Sequence, residues 1–117
     1  MLDAVDFGRV FKKATRSRDR FFTVLCRPNT KGVARLGLAI SKKHCRKATA
    51  RNRIKRIVRE SFRHHQAELP AIDVIVINQP AATMAENTTI NESLIKHWKQ
   101  CSSAPKHKRN AGKLTDG

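Results

Sequence analysis

The spacing of apolar and polar positions predicts a helix and then two strands in the first third of the chain. In the helix, which Asp3 would cap, apolar side chains recur at i, i+3, i+4 and i+7: Phe7, Val10, Phe11 and Ala14. The polar run ATRSRDR then interrupts the pattern. Residues 21–27 are rich in β-formers and residues 35–41 alternate cleanly, with the turn-forming PNTKG between them. These two segments are therefore predicted to pair as a hairpin with a longer loop.

The middle of the chain predicts a long amphipathic helix. It would begin after an N-cap at Thr49 and end near Leu69, since a residue that precedes proline disfavours the α region. At about 100° per residue, four apolar side chains fall in one stripe that we expect to face a sheet: Ile54, Ile57, Val58 and Phe62. The opposite face is polar and strongly basic.

The last third predicts a strand, a loop, a helix and a tail. Residues 72–79 are apolar enough for a central strand, and residues 80–88 are predicted as a loop. The sequence TINE fits a capping box with Thr89 as N-cap. The helix after it has an apolar seam formed by Ile90, Leu94, Trp98 and Cys101. Because the remainder is polar, basic and without periodicity, we predict one domain over residues 1–101 and a flexible basic tail over residues 102–117.

The order of these elements predicts the fold class. It is αββαβα, which is typical of helices packed on a small mixed sheet. The 117 residues are enough for one domain with a single core. We therefore predict an α/β (α+β) two-layer sandwich.

Positive charge is concentrated in one segment of the chain. The formal net charge is +16, and residues 42–63 hold ten of the 25 Lys and Arg residues with Glu60 as the only acid among them. Such a charge would weaken a small domain by self-repulsion unless a polyanion shared its surface. No apolar run approaches the roughly 20 residues that span a membrane, although a basic helix lying on anionic lipid stays an alternative.

Cysteine usage is typical of a cytoplasmic protein, which also agrees with the absence of an apolar span. Cys26, Cys45 and Cys101 are odd in number, far apart and without C-x-x-C spacing. We therefore predict reduced thiols in a cytoplasmic protein.

The polar flank of the long helix is suited to nucleic acid. Its residues recur at i, i+4, i+7 and i+11: Asn52, Arg56, Arg59 and Arg63. Like charges at this spacing repel one another, so a flank without balancing acids is more consistent with a polyphosphate partner than with a merely solvated face. Arginine favours bidentate phosphate contacts, and Asn52 can both donate to and accept from a base edge or a 2′-hydroxyl.

Residues for protein-based catalysis are scarce. The histidines show no H-x-x-x-H or H-E-x-x-H arrangement, and His44-Cys45 has no second ligand pair at zinc spacing. Carboxylates are too few for a two-metal nuclease site. We therefore predict no protein catalytic residues and no metal bound by the protein.

The segment RNRIKRIVRESFR carries an arginine–asparagine–arginine motif, and DFGRVFK, RLGLAISKK and IDVIVI surround it in that order. With these motifs, residues 3–101 resemble the protein subunit of bacterial ribonuclease P. The resemblance implies a left-handed βαβ crossover, which handedness rules alone would not predict. It also implies that the catalytic centre lies in an RNA subunit and that the RNA-containing holoenzyme requires Mg²⁺.

The resemblance further implies an accessory subunit that helps an endoribonuclease remove the 5′ leader of precursor tRNA. Its partners would be the catalytic RNA and precursor tRNA, with no obligate protein partner. Carried over by position, the residues expected to bind the catalytic RNA are Arg51, Asn52, Arg53, Lys55, Arg56, Arg59, Arg63, Lys42, Lys43, Arg46 and Lys47. Those expected to line the leader cleft are Phe7, Phe11, Thr23 and Leu25. The chain has no tyrosine, so Leu25 offers packing but no aromatic ring there.

Three further alternatives stay open. Phe7 and Phe11 are also explained by core packing at helical spacing. A ribosomal-type RNA-binding protein would show the same basic helix without a role in turnover. A protein-only nuclease would cleave without any RNA subunit.

Overall fold

A computed structural model describes residues 4–110, with side chains described for residues 5–102. Its helices and strands are α1 (Ala4–Lys12), β1 (Thr15–Arg18), β2 (Phe22–Pro28), β3 (Arg35–Ala39), α2 (Ala48–His65), β4 (Ile72–Asn78) and α3 (Asn87–Asn110). Two short 3₁₀ helices, Gln66–Glu68 and Pro80–Thr83, follow α2 and β4. The predicted α+β class and element order are confirmed, with the short strand β1 added after α1.

The four strands form one mixed sheet in the order β1-β2-β4-β3. β2 is antiparallel to both β1 and β4, whereas β3 is parallel to β4. The predicted hairpin of β2 with β3 is therefore wrong. β4 lies between them, and its burial on both faces along most of its length is typical of a central strand. The segment β3-α2-β4 is a parallel βαβ unit, and its left-handed crossover stays a prediction.

Helices cover both faces of the sheet. α2 and α3 pack on one face, where the main core contains Phe22, Val24 and Val76. α1 packs on the other face, over β2 and β4, in a smaller cluster with Val10, Leu25 and Ile75. The predicted two-layer core is thus the sheet with α2 and α3, and α1 covers part of the face behind it.

The apolar stripes predicted for α2 and α3 are confirmed, whereas that of α1 is confirmed only in part, since Val10 is buried but Phe11 is exposed. Ile54, Ile57, Val58 and Phe62 are buried along α2, and Ile90, Leu94, Trp98 and Cys101 are buried along α3. The indole N–H of Trp98 donates to Ser61 Oγ at 2.9 Å, and its ring meets Phe62 edge-on at 5.7 Å between centroids. These contacts fix α2 against α3 and therefore fix which flank of α2 faces outward.

Several predicted helix ends are wrong. α2 begins at Ala48 after an N-cap at Lys47 that makes no side-chain cap bond, so Thr49 lies inside the helix. α3 begins at Asn87, so Thr89 is also inside its helix rather than at the N-cap. α3 then continues to Asn110, which extends nine residues into the segment predicted as a tail. The flexibility of that segment stays a prediction, and Asp3 and residues 111–117 lie outside the described residues.

Two of the three cysteines form a disulfide. Cys26 of β2 and Cys101 of α3 are bonded with their Cα atoms 5.9 Å apart, and Cys45 is free and buried. The prediction of reduced thiols is therefore wrong for this pair. A sequence separation of 75 residues hides the fact that β2 and α3 pack together. Within residues 4–110, no helix is long and apolar enough to cross a membrane.

Candidate nucleic-acid interface

The outer flank of α2 presents the polar residues that helical periodicity placed there. Asn52, Arg56, Arg59 and Arg63 are all exposed. Their positions follow from the buried stripe opposite, since Ile54 and Val58 are fully inaccessible to solvent. Glu60 is exposed nearby and is the only acid in α2. The flank is therefore a row of guanidinium groups with one amide at its N-terminal end.

Arg51 and Arg53, on either side of Asn52, turn inward and bind the protein itself. Arg53 donates to Asn87 Oδ1 and to the carbonyl oxygens of Thr83 and Ala85, at 3.2 and 3.1 Å for the carbonyls. It thereby ties α2 to the start of α3. Of these three neighbours only Asn52 is exposed, because adjacent residues in a helix point about 100° apart.

Arg51 has a comparable structural role at the start of α2. Its Nη1 donates to the carbonyl oxygens of Cys45 and Arg46, at 3.0 and 2.7 Å. These bonds hold the basic loop, residues 40–47, against the first turn of the helix. The sequence prediction assigned both arginines to RNA. Helical phase places Arg51 nearer the apolar edge and Arg53 beside the outer flank, but it does not reveal their hydrogen-bond partners.

The basic loop extends the positive surface of α2 toward the sheet. Its four cations are exposed: Lys42, Lys43, Arg46 and Lys47. The fully buried Asn78 at the end of β4 anchors the loop, accepting the Ser41 N–H at 2.6 Å. Lys55 is half-buried beside the loop and flank. The flank and loop together place eight predicted RNA-binding residues on the exposed surface.

The predicted leader-cleft residues divide into exposed and buried groups. Phe11 is 54% exposed, while Phe7 is half-buried against the small cluster, with 6.2 Å between the two ring centroids. Leu25 is buried with Val10, so it serves the core under α1. Thr23 is buried too, and its Oγ accepts from Gln79 Nε2 at 2.7 Å. Phe11 is thus the ring available to a ligand.

An ion-pair cluster that sequence reasoning missed fixes α1 to the sheet. Arg35 of β3 makes a bidentate contact with Asp73 of β4, both at 2.9 Å, and lies 3.3 Å from Asp6 of α1. Asn29 donates to the same Asp73 carboxylate at 2.8 Å. The hydrogen bonds to Asp73 raise the pKa of the Arg35 guanidinium. The partners are far apart in sequence, and this separation concealed the cluster.

A second polar cluster joins β1 to α3. Ser17 Oγ and His97 Nδ1 are hydrogen-bonded at 2.7 Å, and His97 Nε2 lies 3.3 Å from Asp19 Oδ1. Burial lowers the pKa of His97 despite the neighbouring carboxylate. Burial alone would raise the pKa of Asp19, but hydrogen bonds from Ser93 and from two backbone N–H groups outweigh it and lower that pKa. The contacts between these residues tie β1 to α3.

Comparison with known proteins identifies relatives across most of the chain. The family model described as Ribonuclease P matches residues 1–102. A "Ribonuclease P protein component" of Methylococcus capsulatus is 51% identical over 94 residues, which are 80% of this chain and 73% of that protein. One from Legionella pneumophila (strain Lens) is 46% identical over 103 residues, 88% and 89% of the two chains.

Solved structures agree with these relatives. The RNase P protein of Staphylococcus aureus superposes with a TM-score of 0.78 at 33% identity, covering 88% of this chain and 94% of that one. The RNase P protein from Thermotoga maritima gives a TM-score of 0.73 at 33% identity, covering 81% and 90%.

Proposed function

Because the chain belongs to the ribonuclease P protein family, we propose that it binds the catalytic RNA subunit of that enzyme and the 5′ leader of precursor tRNA. It would thereby assist the endonucleolytic cut that makes the mature 5′ end of tRNA. The observation that carries this proposal is the outward row of Asn52, Arg56, Arg59 and Arg63 on a helix whose other side is fixed in the core. Both proposed partners are polyanions, and a role in tRNA maturation would be carried out in the cytoplasm.

The catalytic RNA would lie along the flank of α2 and the basic loop. Guanidinium groups form paired hydrogen bonds with phosphate oxygens, and lysines contribute as point charges. Asn52 could read a base edge or a 2′-hydroxyl within the same contact. The rigid attachment of α2 through Arg51 and Arg53 supports this assignment, because a pre-positioned row loses little freedom when RNA binds.

The leader would lie between α1 and the part of the sheet that α1 leaves uncovered. Phe11 is exposed at the rim of this surface and can stack on a base. Such stacking is worth roughly 1–3 kcal/mol per base and tolerates different sequences, as a groove for varied leaders requires. Phe7, Thr23 and Leu25 would support this surface from below.

Catalysis itself would belong to the RNA subunit and its Mg²⁺ ions. In the described part of the chain, no three His, Cys, Asp or Glu side chains are grouped so that they could hold a metal. The protein's contribution would be to hold the substrate in position against the catalytic RNA subunit.

Reconstitution with the cognate catalytic RNA tests the proposal. At low Mg²⁺, the protein should accelerate cleavage of precursor tRNA, and the complex should bind leader-bearing tRNA more tightly than mature tRNA. Binding to RNA without either effect would favour a ribosomal-type RNA-binding protein. Cleavage by the protein with no RNA subunit present would indicate a protein-only nuclease.

A further inference from the structure

The edge strand β1 places two arginines on the face of the sheet that α1 partly covers. Ser17 is hydrogen-bonded to His97 of α3, so its side chain points toward the layer of α2 and α3. Successive side chains of a strand point to opposite faces, so Arg16 and Arg18 point toward the α1 side. Both are exposed, and neither guanidinium has a hydrogen-bond or ion-pair partner within residues 5–102.

The strand register sets each of these arginines at the end of a row that crosses the whole sheet. One row consists of Arg18, Thr23, Ile77 and Ala39. The row beside it consists of Arg16, Leu25, Ile75 and Gly37. Apart from the arginines, every residue in the two rows is uncharged. These two rows therefore form a mostly apolar floor with one cation each at the β1 edge.

Other arginines on the same face are already engaged by the protein. Arg35 is held by Asp73 and Asp6, and Arg27 donates from Nη1 to the carbonyl oxygen of Arg9 at 2.9 Å. These bonds attach α1 to the sheet. Arg16 and Arg18 have no such role in the fold, so their charge is free for a ligand.

The nearest acid does not neutralise this edge. Asp19 follows Arg18 directly, but its carboxylate accepts from Ser93 Oγ at 2.6 Å and from the backbone N–H groups of Phe21 and Phe22. It is thereby turned toward α3, on the opposite side of the sheet from Arg18. The edge therefore keeps its full positive charge on the α1 side.

We propose that Arg16 and Arg18 bind successive phosphates of the 5′ leader where it passes Phe11 and crosses the edge of the sheet. This inference rests on the proposed function and adds a site to it. Side chains two residues apart on a strand are about 7 Å apart, a spacing that suits neighbouring phosphates of an extended single strand. Phe11 lies four residues before Thr15, where β1 begins, so a short connection joins the helix that carries the stacking ring to the strand that carries the two cations.

The test uses holoenzyme assembled from this protein and its cognate catalytic RNA, with precursor tRNAs whose leaders are shortened stepwise. The double variant Arg16→Ala/Arg18→Ala should bind the long-leader substrate about tenfold more weakly at 50 mM salt. Two lost contacts to a single strand should lower the slope of log K against log salt by about 1.4, so the wild-type advantage should shrink about sevenfold between 50 and 200 mM. Substrates whose leaders end before the sheet edge should bind both proteins equally.

Two matched variants separate this site from general charge. Lys96→Ala/Lys99→Ala removes the same charge from α3, on the opposite side of the sheet, and should leave leader-length dependence unchanged. Arg16→Lys/Arg18→Lys keeps the charge and should retain most of the affinity.

The outcomes distinguish this inference from the proposed function. If wild-type holoenzyme does not prefer leader-bearing to mature tRNA, the proposed function fails. If it does, but the Arg16→Ala/Arg18→Ala variant binds long and short leaders as the wild type does, the inference is overturned and the function stands. An equal loss for both leader lengths would also overturn it, because the arginines would then act on the fold or on the catalytic RNA.

Discussion

Arg53 and Arg56 are three residues apart in one basic helix, yet their loss should have opposite consequences. Arg53 donates to Asn87 and to the carbonyl oxygens of Thr83 and Ala85. Arg56 is exposed and has no partner within the described side chains. Arg53→Ala should therefore destabilise the protein, whereas Arg56→Ala should leave its stability unchanged and weaken RNA binding.

The size of the Arg53 effect follows from its contacts. Two bonds are to partly buried carbonyls and one is at the surface. With about 1 kcal/mol for each of the first two and less for the exposed one, the loss is roughly 2 kcal/mol. For a domain of this size that lowers Tm by roughly 8 °C. Arg56→Ala should stay within about 0.5 kcal/mol of wild type, as exposed substitutions usually do.

Thermal and urea denaturation followed by circular dichroism measure the stabilities, and a salt titration of catalytic-RNA binding measures the interface. Arg56→Ala should lower the slope of log K against log salt by about 0.9 if its phosphate is in a duplex. Arg53→Lys is the matched control: it keeps the charge but not the planar fork, so it should recover little of the lost stability.

If Arg53→Ala were as stable as wild type, the three bonds would contribute nothing and Arg53 would have no structural role. The assignment of Arg56 to RNA binding would equally be refuted if Arg56→Ala unfolded as easily as Arg53→Ala, or if its salt slope matched that of wild type.

Three further predictions concern the pH response, the leader and the disulfide. The free energy of unfolding should fall as pH drops through about 6.5, because His97 takes up a proton in the unfolded chain but not when it is buried. In urea denaturation at a series of pH values, His97→Gln should flatten this part of the curve. The loss of stability below 3.8, the ordinary pKa of Asp19, should persist in that variant. Phe11→Ala should weaken the binding of leader-bearing tRNA to the holoenzyme by roughly 5- to 100-fold and leave the affinity for mature tRNA unchanged. An equal loss of affinity for both tRNAs would indicate a folding defect. Reducing the Cys26–Cys101 bond should lower the free energy of unfolding by roughly 4 kcal/mol. A reductant should have no such effect on the control variant Cys101→Ala. If the denatured, unreduced protein had three free thiols, the pairing would be contradicted.

Helical periodicity in this sequence predicted which side of α2 and α3 is buried. This succeeded because the pattern is local: the spacing of Ile54, Val58 and Phe62 determines a stripe whatever lies opposite. Strand pairing failed because it depends on distant segments. Adjacent strands usually pair, but the apolar β4 occupies the centre and separates β2 from β3.

β1 was missed for a related reason. An edge strand needs a partner on one side only and can leave one face in water, so TRSR lacks the apolar signal of a central strand. Its hydrogen bonding to β2 reveals it, and the same pairing gives Arg16 and Arg18 a defined side of the sheet. Charge in a sequence therefore predicts a polyanion partner, whereas the side of the sheet on which that partner would lie follows only from the strand pairing.

The hydrogen bonds that Arg51 and Arg53 make within the protein help to explain the asparagine in the arginine–asparagine–arginine motif. Arg51 and Arg53 point away from the outer flank and are occupied by backbone carbonyls, so the flank's first position belongs to residue 52 alone. An arginine there would stand four residues before Arg56 and would add one more repelling pair to a flank that already holds Arg56–Arg59 and Arg59–Arg63. An amide avoids this repulsion and still provides a donor and an acceptor. The motif thus joins two residues that brace the helix to one whose side chain is exposed, as the proposed contact between Asn52 and RNA requires.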